Sequence, residues 1–375
     1  MPVKLPRRSI AVLAALMLPF AATPGAGATP VERTQPLVRS QSSPGTCGER
    51  STAIRIGVSP GASIANLSTA DLDRDLSLAK DAGAFAVRLD LDWGLIEPSR
   101  GTFDWALSDR IIDAVVAHGM CPYGIVGYTP RWARVADAVE NPHARPADPA
   151  EFASFARAVV ERYQDRMRLW EVWNEPNLVS FFAPAPDVAA YSELLRLTYQ
   201  AIKQVQPDST VLAGGMAPAE TTQGNITGTT FLSQMYDHGA NQYFDAFNVH
   251  PYTWPYLPND PGTSSWNTAM KMWAMRDVMV AGGDANKQIW ITEFGAPTGT
   301  NPNSVTEQVQ SDTIGIVLDA VLGTDWLGPA FVYSLRDSGT DTSDVEQNFG
   351  LLHRDWTPKL AYARVDAFAA EHSVP

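Results

Sequence analysis

From Ala53 onward, short apolar runs alternate with amphipathic stretches at intervals of roughly 30 to 47 residues, the signature of repeated strand–helix units in a parallel sheet. Eight runs qualify as strands. They begin near Ala53 (AIRIGVS), Phe85 (FAVRLDL), Cys121 (CPYGIVG), Arg168 (RLWEVWN), Thr210 (TVLAGG), Phe244 (FDAFNVH), Gln288 (QIWITEFG) and Pro329 (PAFVYSL). Most are nearly continuous hydrophobics rather than alternating, as in strands covered on both faces. Between them the helices show legible faces. Leu107, Ile111 and Val115 recur at helical spacing while Ser108, Arg110 and Asp113 fall on the water side; Tyr191, Leu194, Leu195 and Ile202 repeat the pattern further on. Ser304 and Glu307 form an S-x-x-E capping box at the start of the helix after the seventh strand. Eight such units favour an α/β fold of the closed (β/α)8 TIM-barrel type, with a single catalytic domain over 53–375, rather than an open doubly wound sheet.

The N-terminal region reads differently. Lys4, Arg7 and Arg8 precede the apolar run Ile10 to Ala22 and the small-residue site Ala26-Gly27-Ala28, so 1–28 is expected to be a signal peptide and the protein to be secreted. Arg7-Arg8 leaves a twin-arginine route open beside the ordinary one. Residues 29–52, rich in Pro, Ser, Thr, Gly and Arg, are expected to form a linker or arm. No later run approaches the roughly 20 apolar residues of a membrane span.

Composition narrows the partners. The formal charge is −13, and loss of 1–28 leaves 25 basic against 41 acidic residues, or −16. Such a surface repels phosphate backbones and anionic lipid, which argues against nucleic acid and membrane insertion and suits a neutral or mildly cationic substrate. Cys47 and Cys121 are compatible with a disulfide in an exported chain or with two buried thiols, both near the bottom of the barrel. No Cys/His pattern suggests a metal centre, so neither metal nor cofactor is expected.

In such a barrel the reacting groups stand at the carboxyl ends of strands. The fourth strand ends in Trp170-Glu171-Val172-Trp173-Asn174-Glu175-Pro176-Asn177 and the seventh in Trp290-Ile291-Thr292-Glu293-Phe294-Gly295. A carboxylate there is costly to bury unless something pairs or uses it. Two carboxyls converging over the barrel axis suit glycosidic cleavage: one protonated to donate to the leaving oxygen, the other ionised to meet the anomeric carbon. A gap of about 5 to 5.5 Å implies retention of configuration and one of roughly 6.5 to 9.5 Å inversion.

These motifs carry a resemblance. W-N-E-P-N (Trp173 to Asn177) and I-T-E-F-G (Ile291 to Gly295) resemble the clan A glycoside hydrolases, most of all family 39, including bacterial exopolysaccharide glycosidases, with family 5 second. The likeness extends to Arg88 on the second strand, to W-G-x-I-E-P-x-x-G-x-F-D-W (Trp93 to Trp105) and to Tyr128-Thr129-Pro130-Arg131-Trp132-Ala133. It also takes in Asn248-Val249-His250-Pro251-Tyr252 and Phe349-Gly350-Leu351-Leu352. It implies that Glu175 is the acid/base and Glu293 the nucleophile of a retaining enzyme, with Asn174 on the sugar 2-hydroxyl. Arg88 and Tyr252 would then flank Glu293, and His250 would line the same subsite.

Several residues keep a plainer reading beside the functional one. Glu171 reads as structural, pointing the same way as Trp173; Trp170 and Trp290 read as core. Trp132, Trp254 and Trp326 either line the cleft or fill space, and Tyr128 is expected to bind substrate. His250 either meets sugar or closes a turn. Asp90 and Asp92 are a metal pair or, in the favoured reading, partner an arginine or cap a loop. The loop from Tyr252 through Trp266 is long enough to shape specificity. A transglycosylase would use the same residues, and a non-catalytic carbohydrate-binding barrel would lack one glutamate. The expected partner is a carbohydrate, and the expected state a monomer.

Overall fold

The computed structural model describes residues 56–372. The expected signal peptide, the expected arm and Cys47 lie outside them. Eight strands form one parallel sheet in the order β5-β4-β3-β2-β1-β8-β7-β6. They are β1 (Ile56–Val58), β2 (Ala86–Asp92), β3 (Cys121–Gly127), β4 (Leu169–Val172), β5 (Thr210–Ala213), β6 (Phe247–Val249), β7 (Ile289–Phe294) and β8 (Leu327–Val332). Parallel bridges Leu212–Ala246 and Met216–Val249 join the outer strands, so the sheet closes into the expected (β/α)8 barrel. Each of the eight apolar runs overlaps a strand.

Nine helices occur among the described residues: α1 (Thr69–Asp81), α2 (Trp93–Ile96), α3 (Ala106–Ala117), α4 (Pro149–Tyr163), α5 (Val188–Val205), α6 (Gly228–Asp237), α7 (Thr268–Ala281), α8 (Glu307–Gly323) and α9 (Leu360–His372). None is long and apolar enough to cross a membrane. In α5 the residues Tyr191, Leu194, Leu195 and Ile202 are buried, as their spacing requires. In α3, Ile111 and Val115 are buried but so is Ser108, and Leu107 only packs against the edge of the core. The capping box is displaced. Helix α8 begins at Glu307, and its cap is Thr306, whose hydroxyl accepts from the Val309 amide at 3.2 Å. Glu307 instead accepts from the Leu360 amide in α9, so it cannot close a box with Ser304.

The barrel interior is layered. Its floor is Ala86, Cys121, Tyr123, Leu169, Leu212, Ala246, Trp290 and Phe331, which seal the bottom. Gly57 makes this possible, since a Cβ there would stand 2.2 Å from the Phe331 ring. Trp290 is core as expected, and so is Trp170, on the outer face of β4, where its indole donates to Gln206 at 2.8 Å. Trp326 precedes β8 and packs edge-on against Trp273 at the opposite end from the cleft, so it fills space and does not meet substrate. Cys121 sits in the floor layer, at the end away from the chemistry.

Candidate active site

Above the floor lies a polar layer. Inward positions on β2 run Ala86, Arg88, Asp90, so Arg88 stands one step above the floor and is buried (3% exposed). Glu171, the corresponding inward residue of β4, is fully buried. Arg88 clasps it bidentately, Nε to Oε2 at 2.8 Å and Nη2 to Oε1 at 2.9 Å. Tyr123 Oη donates to Glu171 Oε2 at 2.8 Å and the Gly215 amide to Oε1 at 2.9 Å. Four donors on one carboxylate satisfy a charge that burial would otherwise make prohibitive. The structural reading of Glu171 therefore holds, and its function is to fix Arg88.

Arg88 spends its remaining hydrogens upward. Nη1 donates to Glu293 Oε1 and, at 3.3 Å, to Ser59; Nη2 reaches Asn174 Oδ1 at 2.7 Å. Tyr252 Oη donates to Glu293 Oε2 at 2.9 Å. Burial by itself would push the Glu293 carboxyl up, but His250, Arg88 and the Tyr252 hydroxyl together hold it below its ordinary value. The Tyr252 phenol, raised by the same burial and by Glu293, stays a donor. The flanking roles expected of Arg88 and Tyr252 match this geometry.

Glu293 faces the cleft because β7 is irregular. Between Ile291 and Phe294 that strand carries one residue more than β8 does between Ala330 and Val332. Strict alternation would send Glu293 to the helical side when Trp290 and Thr292 point inward; the bulge lets Thr292 and Glu293 both reach the site. Glu175 needs a different device. Beyond β4 the backbone turns left-handed at Trp173 (φ 71°) and Glu175 (φ 50°), a conformation side-chain-bearing residues rarely adopt. As a result Trp173 does not share the direction of Glu171. Its ring packs among Phe152, Phe182 and Tyr128 in the shell, while the Glu175 amide is anchored on Gly215 O at 3.0 Å.

His250 ties the two carboxylates together. Its Nδ1 lies 2.9 Å from Glu175 Oε1 and 3.7 Å from Glu293 Oε2. Its Nε2 meets Thr292 Oγ1 at 3.1 Å, and that hydroxyl donates to Asn248 Oδ1 at 2.6 Å. The ring is fully buried. It therefore stands behind the carboxylates rather than lining the subsite, a correction to the expected sugar contact. One ligand atom from each of Glu175, His250 and Glu293 lies within 4.8 Å of the others, a spacing that a divalent cation could bridge. The two carboxylates thus approach within 4.8 Å of each other.

The cleft above them measures about 690 Å³. Tyr128, Asn174, Trp254 and both glutamates line it, as anticipated, together with Trp266; so do Ser59, Asp90, Tyr333, Glu346 and Phe349, which sequence reasoning did not assign to the substrate. Trp254 and Trp266 come from the loop read as a specificity element. Trp132 stands outside. Its indole donates to Glu97 O at 3.1 Å, its ring abuts Trp93, and the Arg100 guanidinium covers it. Of the acidic pair on β2, Asp92 is a cap, accepting from the Leu95 amide at 3.1 Å at the start of α2.

An eight-stranded barrel with two carboxylates facing each other at its carboxyl mouth defines the architecture of the barrel glycosidases. A family model described as cellulase, glycosyl hydrolase family 5, matches residues 58–322, and the chain belongs to that family. A β-xylosidase of Geobacillus stearothermophilus is 31% identical over 116 residues, 28% of this chain and 23% of that protein. The β-galactosidase Bga of Halorubrum lacusprofundi is 30% identical over 129 residues, 28% of this chain and 18% of that one. The match spans under a quarter of either relative. Among solved structures, a family 39 glycoside hydrolase from Bacteroides cellulosilyticus WH2 superposes with TM-score 0.66 at 24% identity, over 84% of this chain and 63% of that one. A GH5_18 structure from Streptomyces cattleya, in complex with GlcNAc, gives TM-score 0.64 at 18% identity, over 85% and 80%. At these identities the likeness is one of fold. The fold neighbours thus come from both families that the motifs resemble.

Proposed function

We propose that the chain is a retaining glycosidase cleaving O-glycosidic bonds of an oligo- or polysaccharide by double displacement. Glu293 attacks the anomeric carbon while Glu175 passes its proton to the departing oxygen. Water then attacks the glycosyl-enzyme with Glu175 as base, releasing sugar and restoring both groups. The observation that carries this reading is the approach of the two carboxylates within 4.8 Å, with Glu293 held ionised by Arg88, His250 and Tyr252. An approach of that order supports a direct nucleophile over the interposed water of an inverting enzyme. Asn174 offers its oxygen to Arg88, so its amide hydrogens remain for Tyr128 and for the sugar 2-hydroxyl.

The acidic balance of the chain supports an uncharged carbohydrate as partner. The N-terminal pattern supports export, tested by sequencing the N-terminus of protein recovered from the medium; retention of residues 1–28 there would contradict it. Activity is tested with aryl glycosides and with plant and microbial polysaccharides, comparing the native protein with Glu293→Ala. Release at equal rates by both would refute the assignment. Glu175→Ala is expected to keep activity on good leaving groups and to gain rate with azide; uniform loss without azide rescue would exclude Glu175 as acid/base. Product analysis with added acceptor sugar separates hydrolysis from transglycosylation.

A further inference from the structure

Asp90 occupies the third inward step of β2, above Ala86 and Arg88, and opens into the cleft. Of the carboxylates lining that cleft, Glu175 is bonded to His250, Glu293 to Arg88 and Tyr252, and Glu346 faces the Tyr333 hydroxyl at 3.5 Å. Asp90 has no hydrogen-bond or ion-pair partner among the described residues. Arg88 does not serve it, since that guanidinium is spent on Glu171, Glu293, Asn174 and Ser59. The side chain is exposed, and the space it opens into is the cleft. A carboxylate that lines the cleft and is held by no protein donor is hydrated there, and its oxygens are free to accept from ligand hydroxyls that displace that water.

The charge around it narrows what that ligand carries. Asp90, Glu175, Glu293 and Glu346 line the cleft against one guanidinium, Arg88, already paired with two carboxylates, and the imidazole of His143. Resting on the glycosidase reading above, we propose that Asp90 selects the glycone. Its carboxylate accepts hydrogen bonds from ring hydroxyls of a neutral sugar seated over Glu293 and bars a sugar that bears its own carboxylate. At an effective dielectric of about 20, like charges about 5 to 6 Å apart discriminate by about a hundredfold.

The test compares 4-nitrophenyl β-D-xyloside, β-D-glucoside and β-D-galactoside with the β-D-glucuronide and β-D-galacturonide, on the native enzyme and on Asp90→Asn. The native enzyme is expected to favour the best neutral glycoside over either uronide by about a hundredfold in kcat/KM. In Asp90→Asn that ratio is expected to fall at least about tenfold, with the uronide rate rising and the neutral rate dropping. A native preference for a uronide, or an unchanged ratio in the variant, overturns the proposal. Failure of the underlying reading shows separately, as turnover that survives Glu293→Gln. A readout independent of turnover is NMR titration of both proteins with methyl β-D-glucoside and methyl β-D-glucuronide. Tighter binding of the neutral sugar to the native protein, with the gap closing in Asp90→Asn, supports the proposal; the same gap in both proteins overturns it.

Discussion

Replacing Glu171 by glutamine tests how the site is held. The side chain keeps its shape but loses its charge, and its new amide hydrogens face donors: Arg88 Nε or Nη2, Tyr123 Oη and the Gly215 amide. Arg88 is left buried with Glu293 as its single carboxylate partner among the described residues. Breaking a buried pair by removing one charge costs about 3 to 5 kcal/mol. At about 2 °C per kcal/mol, the low end for large domains, the melting temperature is expected to fall by about 6 to 10 °C. The site suffers as well, because Arg88 orients both Glu293 and Asn174. Misplacement of a positioning group by about 1 Å lowers rate about a hundredfold. Calorimetric melting and kcat/KM on the best aryl glycoside measure the two effects. A variant melting within about 1 °C of the native protein with unaltered kcat/KM would refute the reasoning.

Other outcomes follow from the same geometry. A Cβ at Gly215 would stand 2.1 Å from His250 Nε2, so Gly215→Ala is expected to push the imidazole off Glu175 and cut kcat about a hundredfold; native kcat would contradict this. Because Glu293 is held below the usual carboxylate range, the acid limb of kcat/KM is expected below pH about 4.3, the free glutamate value. In Tyr252→Phe, which removes one stabilising donor, that limb is expected to move up; an unmoved limb would show that the phenol does not stabilise the carboxylate. Lys359, buried against Asp337, Thr298 and Asn348, is expected to cost about 3 to 5 kcal/mol on replacement by methionine, read by denaturant unfolding, with kcat unchanged in the folded fraction.

The barrel was legible because its strands are buried on both faces and so appear as short apolar runs between helical patterns. The two glutamates were legible because each ends such a run. What could not be read was how they turn inward. Glu293 depends on a bulge in β7, and Glu175 on left-handed backbone at Trp173 and Glu175, and neither leaves a mark in hydrophobic periodicity. The same backbone turn defeated the alternation that placed Trp173 beside Glu171. Trp132 shares the composition of a sugar platform, yet an indole donor bond to Glu97 and Arg100 above it assign it to the rim. Tyr333 follows β8 directly, whereas Glu346 belongs to the chain beyond β8, which loops back through Asn348 and Phe349 to the β7–α8 segment. The Gly214-Gly215 pair was the one available signal for close packing behind the site. A Cβ on Gly214 would meet Trp173 O at 2.8 Å.

The most direct test is to incubate the protein with a 2-deoxy-2-fluoro aryl β-glycoside of the sugar it hydrolyses best and to map the product by peptide mass spectrometry. The fluorine slows both steps and the good leaving group spares the first, so a glycosyl-enzyme is expected to accumulate. The account predicts one fluorosugar per chain on the peptide containing Glu293, lost in Glu293→Gln. A label on another residue, or complete turnover with inverted product and no adduct, would contradict it.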